Sequence, residues 1–441
     1  MTVKVLKKAV FIFISIILIG WLCNILAAMI PHSAVHNNII ESIDVLASEG
    51  PFKAVIGNKY SNSLADNNTD AWMLLMADYD SPKNVLEKSL GGYYKTYDNT
   101  SQTGSWAFDL FISSGSPGAV ETGEYSYSRY WHGWMLPLKL LLTFANYEDI
   151  RFIGMIFLMT LMFYCVYLMH QKGLRFFAIA FGISLLFMVP ITAMISFEYS
   201  FVLYVMLIGN ILLLASYKKI REASAAPIFF LALGMATSYF DFLTYPPVSL
   251  GFCYLTYLFL RMKDADYKPI TAFKDLTVNA FSWGVGYIGM WVSKWIIGTL
   301  VLRTNVIQDA LNQLILRTSQ TEGISNISEN RITYGQALAN NLNVFATRGY
   351  LFIGILIIFI FLYFLIKKRV SIGRIRNCIL FLPMFLLTAI IPFAWVFILK
   401  NHTYLHRNFT SNLFAITAFA FLAFLAYILE DFNKTTLSGK K

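Results

Sequence analysis

Charged side chains are scarce in this sequence. Asp, Glu, Lys and Arg make up 14% of the 441 residues, whereas 57% are hydrophobic. Soluble domains carry about 25% charged residues, and the apolar residues here come in blocks long enough to cross a bilayer. A soluble globular protein is therefore excluded, and the sequence predicts an all-α polytopic membrane protein.

Cysteines are few, and nucleotide-binding motifs are absent. The four cysteines lie in or beside apolar blocks, with no Cys-x-x-Cys pair: Cys23, Cys165, Cys253 and Cys378. This pattern argues against a disulfide framework or a cysteine metal site, and we interpret all four as small core residues. There is no G-x-x-x-x-G-K-[ST] loop and no tandem repeat, so nothing in the sequence supports an ATP-driven motor.

The apolar blocks predict about ten transmembrane helices. The first follows a basic N-terminus and spans about 9–30, and the others lie near 151–169, 174–195, 199–216, 226–243, 247–261, 277–302, 349–367, 376–399 and 411–429. With the N-terminus inside, every short basic loop falls on the cytoplasmic side, as the positive-inside rule requires. The net charge of +10 then reflects topology and not nucleic-acid binding. We expect a bacterial plasma-membrane protein with both termini cytoplasmic.

Two polar segments divide these helices. After the first helix (1–30), the segment 31–150 is too aromatic to be disordered, and we expect it to form an extracytoplasmic cap with interfacial helices. The apolar run Met135–Phe144 within it carries Pro137 and Lys139, which favours a helix lying at the interface. Helices two to seven then occupy 151–302, a second extracytoplasmic loop occupies 303–348, and the last three helices and a cytoplasmic tail occupy 349–441.

An aromatic segment, residues 129–134, carries the first candidate site residues. A belt of rings at the membrane interface is common, but it does not explain Arg129 and His132 among them. Arg can hold a phosphate through two hydrogen bonds, and His can contact an anionic leaving group or a carboxylate. We predict both as substrate or phosphate contacts, with a plain interfacial belt as the alternative.

Ionisable residues in apolar surroundings are the second signal. Asp241 lies near the outer end of a predicted helix, where a charge is costly and by default marks a site. The alternative is that Asp241 only caps the helix before the next prolines. Glu198, in a short outer turn, is a weaker substrate-contact candidate. Lys294 could pair with Asp241, meet a lipid phosphate or extend to the interface.

A third cluster comprises His402, His406 and Arg407. The two histidines have the i, i+4 spacing found in metal sites, but no third ligand is adjacent. Phosphate or pyrophosphate recognition is the favoured interpretation, and an ordinary polar turn is the alternative. We predict no defined metal ligands, although a divalent metal stays open as a cofactor.

Two carboxylates follow the first helix. Glu41 and Asp44 are three residues apart and would share one helix face. We predict that one of them, or Asp241, is the general base that deprotonates a hydroxyl. The alternative is that Glu41 and Asp44 are only solvated loop residues.

This layout resembles the GT-C class of integral membrane glycosyltransferases. The likeness lies in the many helices, the long first outer loop 31–150 and the acidic residues near its start. Glu41 and Asp44 depart from the family's acidic motif, in which the carboxylates are adjacent. The resemblance implies a sugar donor linked to a polyprenyl phosphate, and an inverting transfer in which a carboxylate activates the acceptor while Arg, Lys and His hold the phosphate. The partners would be that donor, a glycan or glycolipid acceptor and the bilayer, without nucleic acid.

We therefore expect hexosyl or pentosyl transfer at the extracytoplasmic face, in cell-surface polysaccharide or glycolipid assembly. Two alternatives stay open. A polysaccharide polymerase or ligase would act on polyprenyl-diphosphate-linked glycans at the same face. A transporter or lipid-linked glycan flippase would typically show internal repeats and broken helices, whereas the polar residues here gather at one face.

Overall fold

The computed structural model describes residues 3–57, 61–80, 82–98, 103–222, 224–319, 332–346 and 348–430. These residues are mostly helical, with two small two-stranded sheets, in line with the predicted helical class. Part of the predicted loop 303–348, including Glu322, Glu329 and Arg331, lies outside the described residues, as does the tail beyond Glu430.

The N-terminal third consists of one long helix and a folded polar segment. The long helix is α1 (Val3–Met29), and the segment contains α2 (His36–Glu49), α3 (Asn67–Ala77), α4 (Val85–Gly91), α5 (Trp106–Ser114) and α6 (Met135–Leu142). Antiparallel pairs join β1 (Phe52–Ala54) to β2 (Leu64–Asp66), and β3 (Tyr93–Tyr97) to β4 (Glu121–Ser126). The helix expected in the run Met135–Phe144 is present as α6.

All secondary-structure elements in the rest of the described chain are helices. Its helices are α7 (Tyr147–Gln171), α8 (Arg175–Leu186), α9 (Pro190–Ile195), α10 (Phe197–Ile220), α11 (Ala225–Phe240), α12 (Pro247–Arg261), α13 (Pro269–Leu302), α14 (Val306–Thr318), α15 (Tyr334–Leu342), α16 (Arg348–Lys367), α17 (Ile372–Ile379), α18 (Leu382–Ala389), α19 (Ile391–Ile398), α20 (Lys400–Leu405), α21 (Arg407–Thr410) and α22 (Ala415–Leu429). The predicted loop 303–348 thus begins and ends with helices α14 and α15.

Six helical segments among the described residues are long and apolar enough to cross a membrane: Val3–Met29, Tyr147–Gln171, Phe197–Ile220, Pro269–Leu302, Gly349–Lys367 and Arg407–Leu429. A seventh is added if Ile372–Ile379 and Leu382–Ile398, which are bent by 51°, form one broken span. These helices support a multi-pass membrane protein.

The predicted count of about ten spans is not confirmed. The blocks at 174–195, 226–243 and 247–261 form shorter helices in the structure, since α8 has 12 residues, α11 has 16 and α12 has 15. A helix of 16 residues rises about 24 Å, less than the roughly 30 Å of a hydrocarbon core. The whole of α12 from Pro247 to Leu260 is buried, so its apolar sequence reflects a place inside the bundle.

The closest helix pair positions the site described below. α11 packs against α13 through Gly234 and Gly286, where an added Cβ would lie 2.1 Å from the carbonyl oxygens of Trp283 and Leu231, respectively. Only glycine permits such an approach of two backbones. This contact fixes the end of α11, and so Asp241, beside the outer half of α13.

Candidate functional site

The aromatic segment, the turn after α11 and the segment after α19 meet in space. The amide N–H of Gly133 donates to the carbonyl of Tyr239 over 2.9 Å, and His402 Nε2 lies 2.7 Å from the carbonyl oxygen of Leu243. Glycine is needed at 133 because a Cβ there would lie 2.3 Å from the Tyr239 ring. Residues far apart in the sequence are therefore joined directly.

Between these segments lies a pocket of about 230 Å³. Helices α13, α14 and α19 supply most of its wall. Its lining combines six large aromatic side chains with two arginines: Tyr130, Trp283, Tyr287, Trp291, Trp295, Trp395, Arg129 and Arg317. We refer to it as the aromatic pocket.

An aromatic ladder on α13 forms one wall of this pocket. Trp283, Tyr287, Trp291 and Trp295 follow each other at intervals of four residues, which places them on one helix face. Their successive ring centroids are 5.0, 5.3 and 6.0 Å apart. The result is a continuous aromatic surface along about three turns of the helix.

Arg129 stands at one side of the pocket. Its guanidinium lies 4.2 Å from the ring centroid of Tyr127, and its Nη1 is 3.0 Å from a carboxylate oxygen of Asp309 on α14. Asp309 is 44% exposed, whereas Arg129 is 16% exposed. Solvent therefore weakens the neutralisation of Arg129 by its partner.

Arg317 forms the second cationic group and is held by a histidine. Its Nη1 donates to His402 Nδ1 over 2.6 Å, while His402 Nε2–H donates to Leu243. Burial, reinforced by Arg317, lowers the pKa of His402 well below its usual value, so the imidazole is neutral. Among the described residues no carboxylate pairs with Arg317.

Five buried donors on the pocket-lining residues have no hydrogen-bond partner among the described residues. They are the Nε atoms of Arg129 and Arg317, the Nε1 atoms of Trp291 and Trp395, and the hydroxyl of Tyr287. Leaving one buried donor unpaired costs about 1–3 kcal/mol, and such groups are rare in native structures. All five atoms are buried behind a pocket surface that is almost entirely apolar, so a ligand could accept from them only after these side chains turn toward it.

The pocket also reaches the apolar flank of the molecule. Ile288 and Ile398 line it and are 60% and 56% exposed. The neighbouring exposed side chains on α13 are also apolar, including Val285 and Val292. A ligand with a charged head and a hydrocarbon chain could therefore bind the arginines and leave through a side that faces lipid.

Backbone strain accompanies this convergence. Leu243 and His132 have positive φ values of 72° and 54°, which is uncommon for residues other than glycine. Such strain costs of order 1–3 kcal/mol and is held in place by surrounding contacts. For Leu243, the hydrogen bond from His402 to its carbonyl is one of these contacts.

A group of buried carboxylates lies next to the same end of α11. Asp66, Asp70, Glu198 and Asp241 interact electrostatically, and none is more than 5% exposed. We refer to them as the carboxylate cluster. Glu198 and Asp241 were predicted from the sequence as site residues, but Asp66 and Asp70 were not, because they occur in an ordinary polar stretch.

Asp70 uses its carboxylate to hold the chain together. It accepts from the amides of Phe197 and Glu198 over 3.1 and 2.9 Å, and from the hydroxyl of Tyr147. It thus binds the backbone amides at the start of α10 that have no acceptor within the helix, where a negative charge also suits the helix dipole. This role is structural.

Only one of the two carboxylate oxygens of Asp241 accepts hydrogen bonds among the described residues. Its Oδ1 accepts from the amide and hydroxyl of Thr244 over 2.9 and 2.5 Å, so the residue does form a cap. Its Oδ2 is buried without a partner among the described residues. Burial raises its pKa to about 6, so that the group is ionised at neutral pH but is a stronger base than an exposed Asp.

Glu198 and Lys294, the other two predicted residues of this region, are both buried. Glu198 is buried in the first turn of α10, and its Oε2 has no partner among the described residues. Lys294 is fully buried, and its Nζ donates to the carbonyl of Leu90 on α4 over 2.5 Å. Lys294 does not pair with Asp241. It instead attaches the polar segment to α13.

Glu41 and Asp44 do not join the site. Both are exposed on α2 and line neither the aromatic pocket nor the larger cavity described below. The carboxylate of α2 that forms buried contacts is Glu49, which pairs with Arg151 over 2.8 Å and accepts from Asn67 over 3.0 Å. Glu41 and Asp44 thus share an exposed face of α2 and not a face that packs against the rest of the protein.

The remaining predicted residues lie at the edges of the site. His132 Nε2 bonds to the carbonyl of Tyr127 over 2.7 Å, and burial lowers the pKa of His132 to about 3. His406 packs on Phe409 at 5.2 Å between ring centroids, and burial lowers its pKa to about 4. Arg407 is exposed and donates to Asn340. Both ring nitrogens of His402 are occupied, so it cannot join His406 as a metal ligand without losing a bond.

Two further features of the site were not predicted from the sequence. Arg317 lies in the predicted loop 303–348, and nothing in its local sequence connects it to His402. The aromatic ladder could have been recognised from its four-residue spacing.

Comparison with known proteins yields no match: no family model, curated protein or solved structure is similar enough to this chain. Its function is therefore argued from the site.

Proposed function

We propose that this chain is a membrane glycosyltransferase that uses a polyprenyl-phosphate-linked sugar donor at the extracytoplasmic face. It would act in cell-surface polysaccharide or glycolipid assembly. The observation that carries the proposal is the aromatic pocket, which Arg129 and Arg317 line beside an apolar flank.

The pocket fits the donor by its chemistry. A phosphate offers several acceptor oxygens, and guanidinium groups bind such oxygens through charge-assisted hydrogen bonds. Arg317 has no carboxylate partner among the described residues, so a phosphate would supply its missing counter-ion. The aromatic ladder of α13 would pack against the isoprenoid chain, which continues toward Ile288 and the lipid.

Asp241 is the proposed base: it does not line the aromatic pocket itself, but it lies two residues before Leu243, which does. In the proposed inverting reaction, its free Oδ2 takes the proton of the acceptor hydroxyl while that oxygen bonds to the anomeric carbon. The bond between the anomeric carbon and the phosphate oxygen breaks, and its electron pair leaves with the phosphate, which Arg129 and Arg317 stabilise. A pKa near 6 suits a base that works close to neutral pH.

The first experiment measures binding of the lipid phosphate. The full chain in nanodiscs is titrated with polyprenyl phosphate, and Arg129→Ala and Arg317→Ala are each expected to weaken binding at least about tenfold. Arg376→Ala, which removes an exposed arginine at the far end of the molecule, is the matched control and should bind like wild type. Equal binding by all four proteins would refute the assignment of the pocket.

The second experiment tests the chemistry. Asp241→Asn keeps an acceptor for Thr244 but cannot take a proton, so transfer from a labelled lipid-linked sugar should fall at least about 100-fold. Retained transfer with normal folding would limit Asp241 to a capping role. The product also separates the alternatives: addition of one sugar indicates a transferase, addition of a whole repeat indicates a polymerase or ligase, and flux without a covalent product indicates a transporter or flippase.

A further inference from the structure

A second polar cluster lies where α1 ends and α2 begins. His32 is in a short 3₁₀ turn after α1, and His36 is the first residue of α2. Asp78 follows the last turn of α3, whose carbonyl at Leu74 accepts from the Asp78 amide. Three different elements thus bring two imidazoles and one carboxylate to one place.

The geometry of these side chains converges on a single point. Asp78 Oδ1 lies 3.0 Å from His32 Nε2 and 2.8 Å from His36 Nδ1. One candidate ligand atom from each residue lies within 4.8 Å of the others. A tetrahedral zinc ion with bonds near 2.0–2.1 Å places its ligand atoms about 3.3 Å apart, so small side-chain rotations would accommodate an ion between them.

The cluster borders a large cavity. His32 lines a cavity of about 660 Å³, which also reaches Lys88, His132 and Lys139. The side chains of His32 and His36 are 28% and 41% exposed, whereas Asp78 is 14% exposed. An ion could therefore enter from solvent and keep one coordination position toward the cavity.

We propose that His32, His36 and Asp78 form a binding site for a divalent transition metal, with Zn²⁺ as the best chemical fit. Two imidazoles and one carboxylate are a ligand set that suits zinc with one open position. Mg²⁺ and Ca²⁺ prefer oxygen ligands and would bind weakly here. The open position would take water or an anionic oxygen of a ligand in the cavity, where Lys88 adds positive charge.

This site is separate from the aromatic pocket, and nothing in its argument depends on the donor lipid. The two sets of lining residues have no member in common. Failure of the metal proposal would leave the lipid-phosphate proposal untouched, and the reverse holds as well.

The test uses the full purified chain, freed of metal by a chelator and titrated with Zn²⁺ in a calorimeter. One saturable equivalent is expected, with no comparable binding of Mg²⁺. His32→Ala, His36→Ala and Asp78→Asn should each weaken Zn²⁺ binding at least about 100-fold. Bound Co²⁺ should show visible absorption bands of a low-coordinate site in wild type and lose them in the variants.

Two matched controls separate this site from adventitious binding. Asp80→Asn changes a carboxylate that lines the same cavity but is not in the ligand set, and His170→Gln changes a histidine at the end of α7. Both should bind Zn²⁺ like wild type. Unfolding midpoints without metal identify any variant that fails to fold. The proposal is refuted if the folded wild type takes up no stoichiometric Zn²⁺, or if the His32→Ala and His36→Ala variants bind it unchanged.

Discussion

The carboxylate cluster and the aromatic pocket are neighbours at one end of the bundle, yet their polar atoms are used differently. In the carboxylate cluster, Asp70 receives hydrogen bonds from two backbone amides and one tyrosine hydroxyl. In the aromatic pocket, five buried donors have no partner among the described residues. Asp70 and the five pocket donors are similarly buried, but only Asp70 has its hydrogen bonds satisfied by protein atoms among the described residues.

The presence or absence of a protein partner distinguishes buried polar groups that hold the fold together from those that are candidates for binding a ligand. A buried polar group whose partners are protein atoms stabilises the fold, because breaking the set leaves the partners unpaired. A buried donor without a protein partner costs free energy in the ligand-free chain, and a ligand recovers that cost. Asp241 stands between the two cases, since Thr244 occupies only one of its oxygens.

The largest effect on stability should come from replacing Asp70. Asp70→Ala removes the acceptor of the Glu198 amide and of the Tyr147 hydroxyl, and leaves the Phe197 amide only its 3.4 Å contact with Tyr147. We expect this to lower the free energy of unfolding by at least about 3 kcal/mol. Denaturant unfolding of the detergent-solubilised chain measures this. Asp44→Ala, at an exposed position, is the control, and a loss no larger than that of the control would contradict the structural role of Asp70.

Asp241 should make stability depend on pH. Its pKa rises from 3.8 to about 6 on folding, so the native state binds more protons between these values and stability falls as pH rises through this range. The part due to Asp241 is of order 3 kcal/mol, and Asp241→Asn should lack it. Unfolding of both proteins at a series of pH values tests this, and identical pH profiles would argue against the buried environment of Asp241.

His402 should affect lipid-phosphate binding only through Arg317. His402→Gln removes the fixed imidazole and is expected to weaken polyprenyl-phosphate binding by about three- to tenfold, less than Arg317→Ala. The double variant should bind no worse than Arg317→Ala alone, because the positioned group is already gone. Additive losses would show that His402 contacts the ligand by itself, and His170→Gln provides the control for a histidine elsewhere.

The smallest effect should come from Glu41 and Asp44. Both are exposed on α2 and away from the aromatic pocket, so Glu41→Gln and Asp44→Asn should change stability by less than about 0.5 kcal/mol. We expect transfer of the labelled sugar to stay within about twofold of wild type. A large loss of transfer in a folded variant would return the base to this helix and overturn the assignment to Asp241.

Much of the fold could be predicted from local sequence, but its exact spans could not. Apolar blocks predicted α1, α7, α10 and α13 because hydrophobic composition over about 20 residues is sufficient to identify a spanning segment. Composition alone also predicted a spanning helix at α12, but α12 is apolar because it is buried among other helices. Composition reports an apolar environment without distinguishing lipid from protein.

The candidate site was predicted in part for a similar reason. Arg129, Asp241 and His402 stood out as polar groups in apolar or aromatic surroundings, which is a local property. Arg317 did not stand out, because its significance depends on His402, 85 positions away in the chain. Asp66 and Asp70 were missed because their burial arises from packing against α10 and not from their own neighbours.

The sequence by itself determined the class of the molecule: helical, membrane-embedded and polar at particular segments, since each of these follows from composition over short windows. Only the tertiary structure decided which polar groups have partners. Hydrogen bonds such as those from His402 to Leu243 and from Gly133 to Tyr239 join residues with no sequence relation. Whether a buried polar group has a hydrogen-bond partner depends on which residues meet in space. This distinguishes the Asp70 carboxylate, which accepts three hydrogen bonds, from the Arg317 guanidinium, whose Nε has no partner among the described residues.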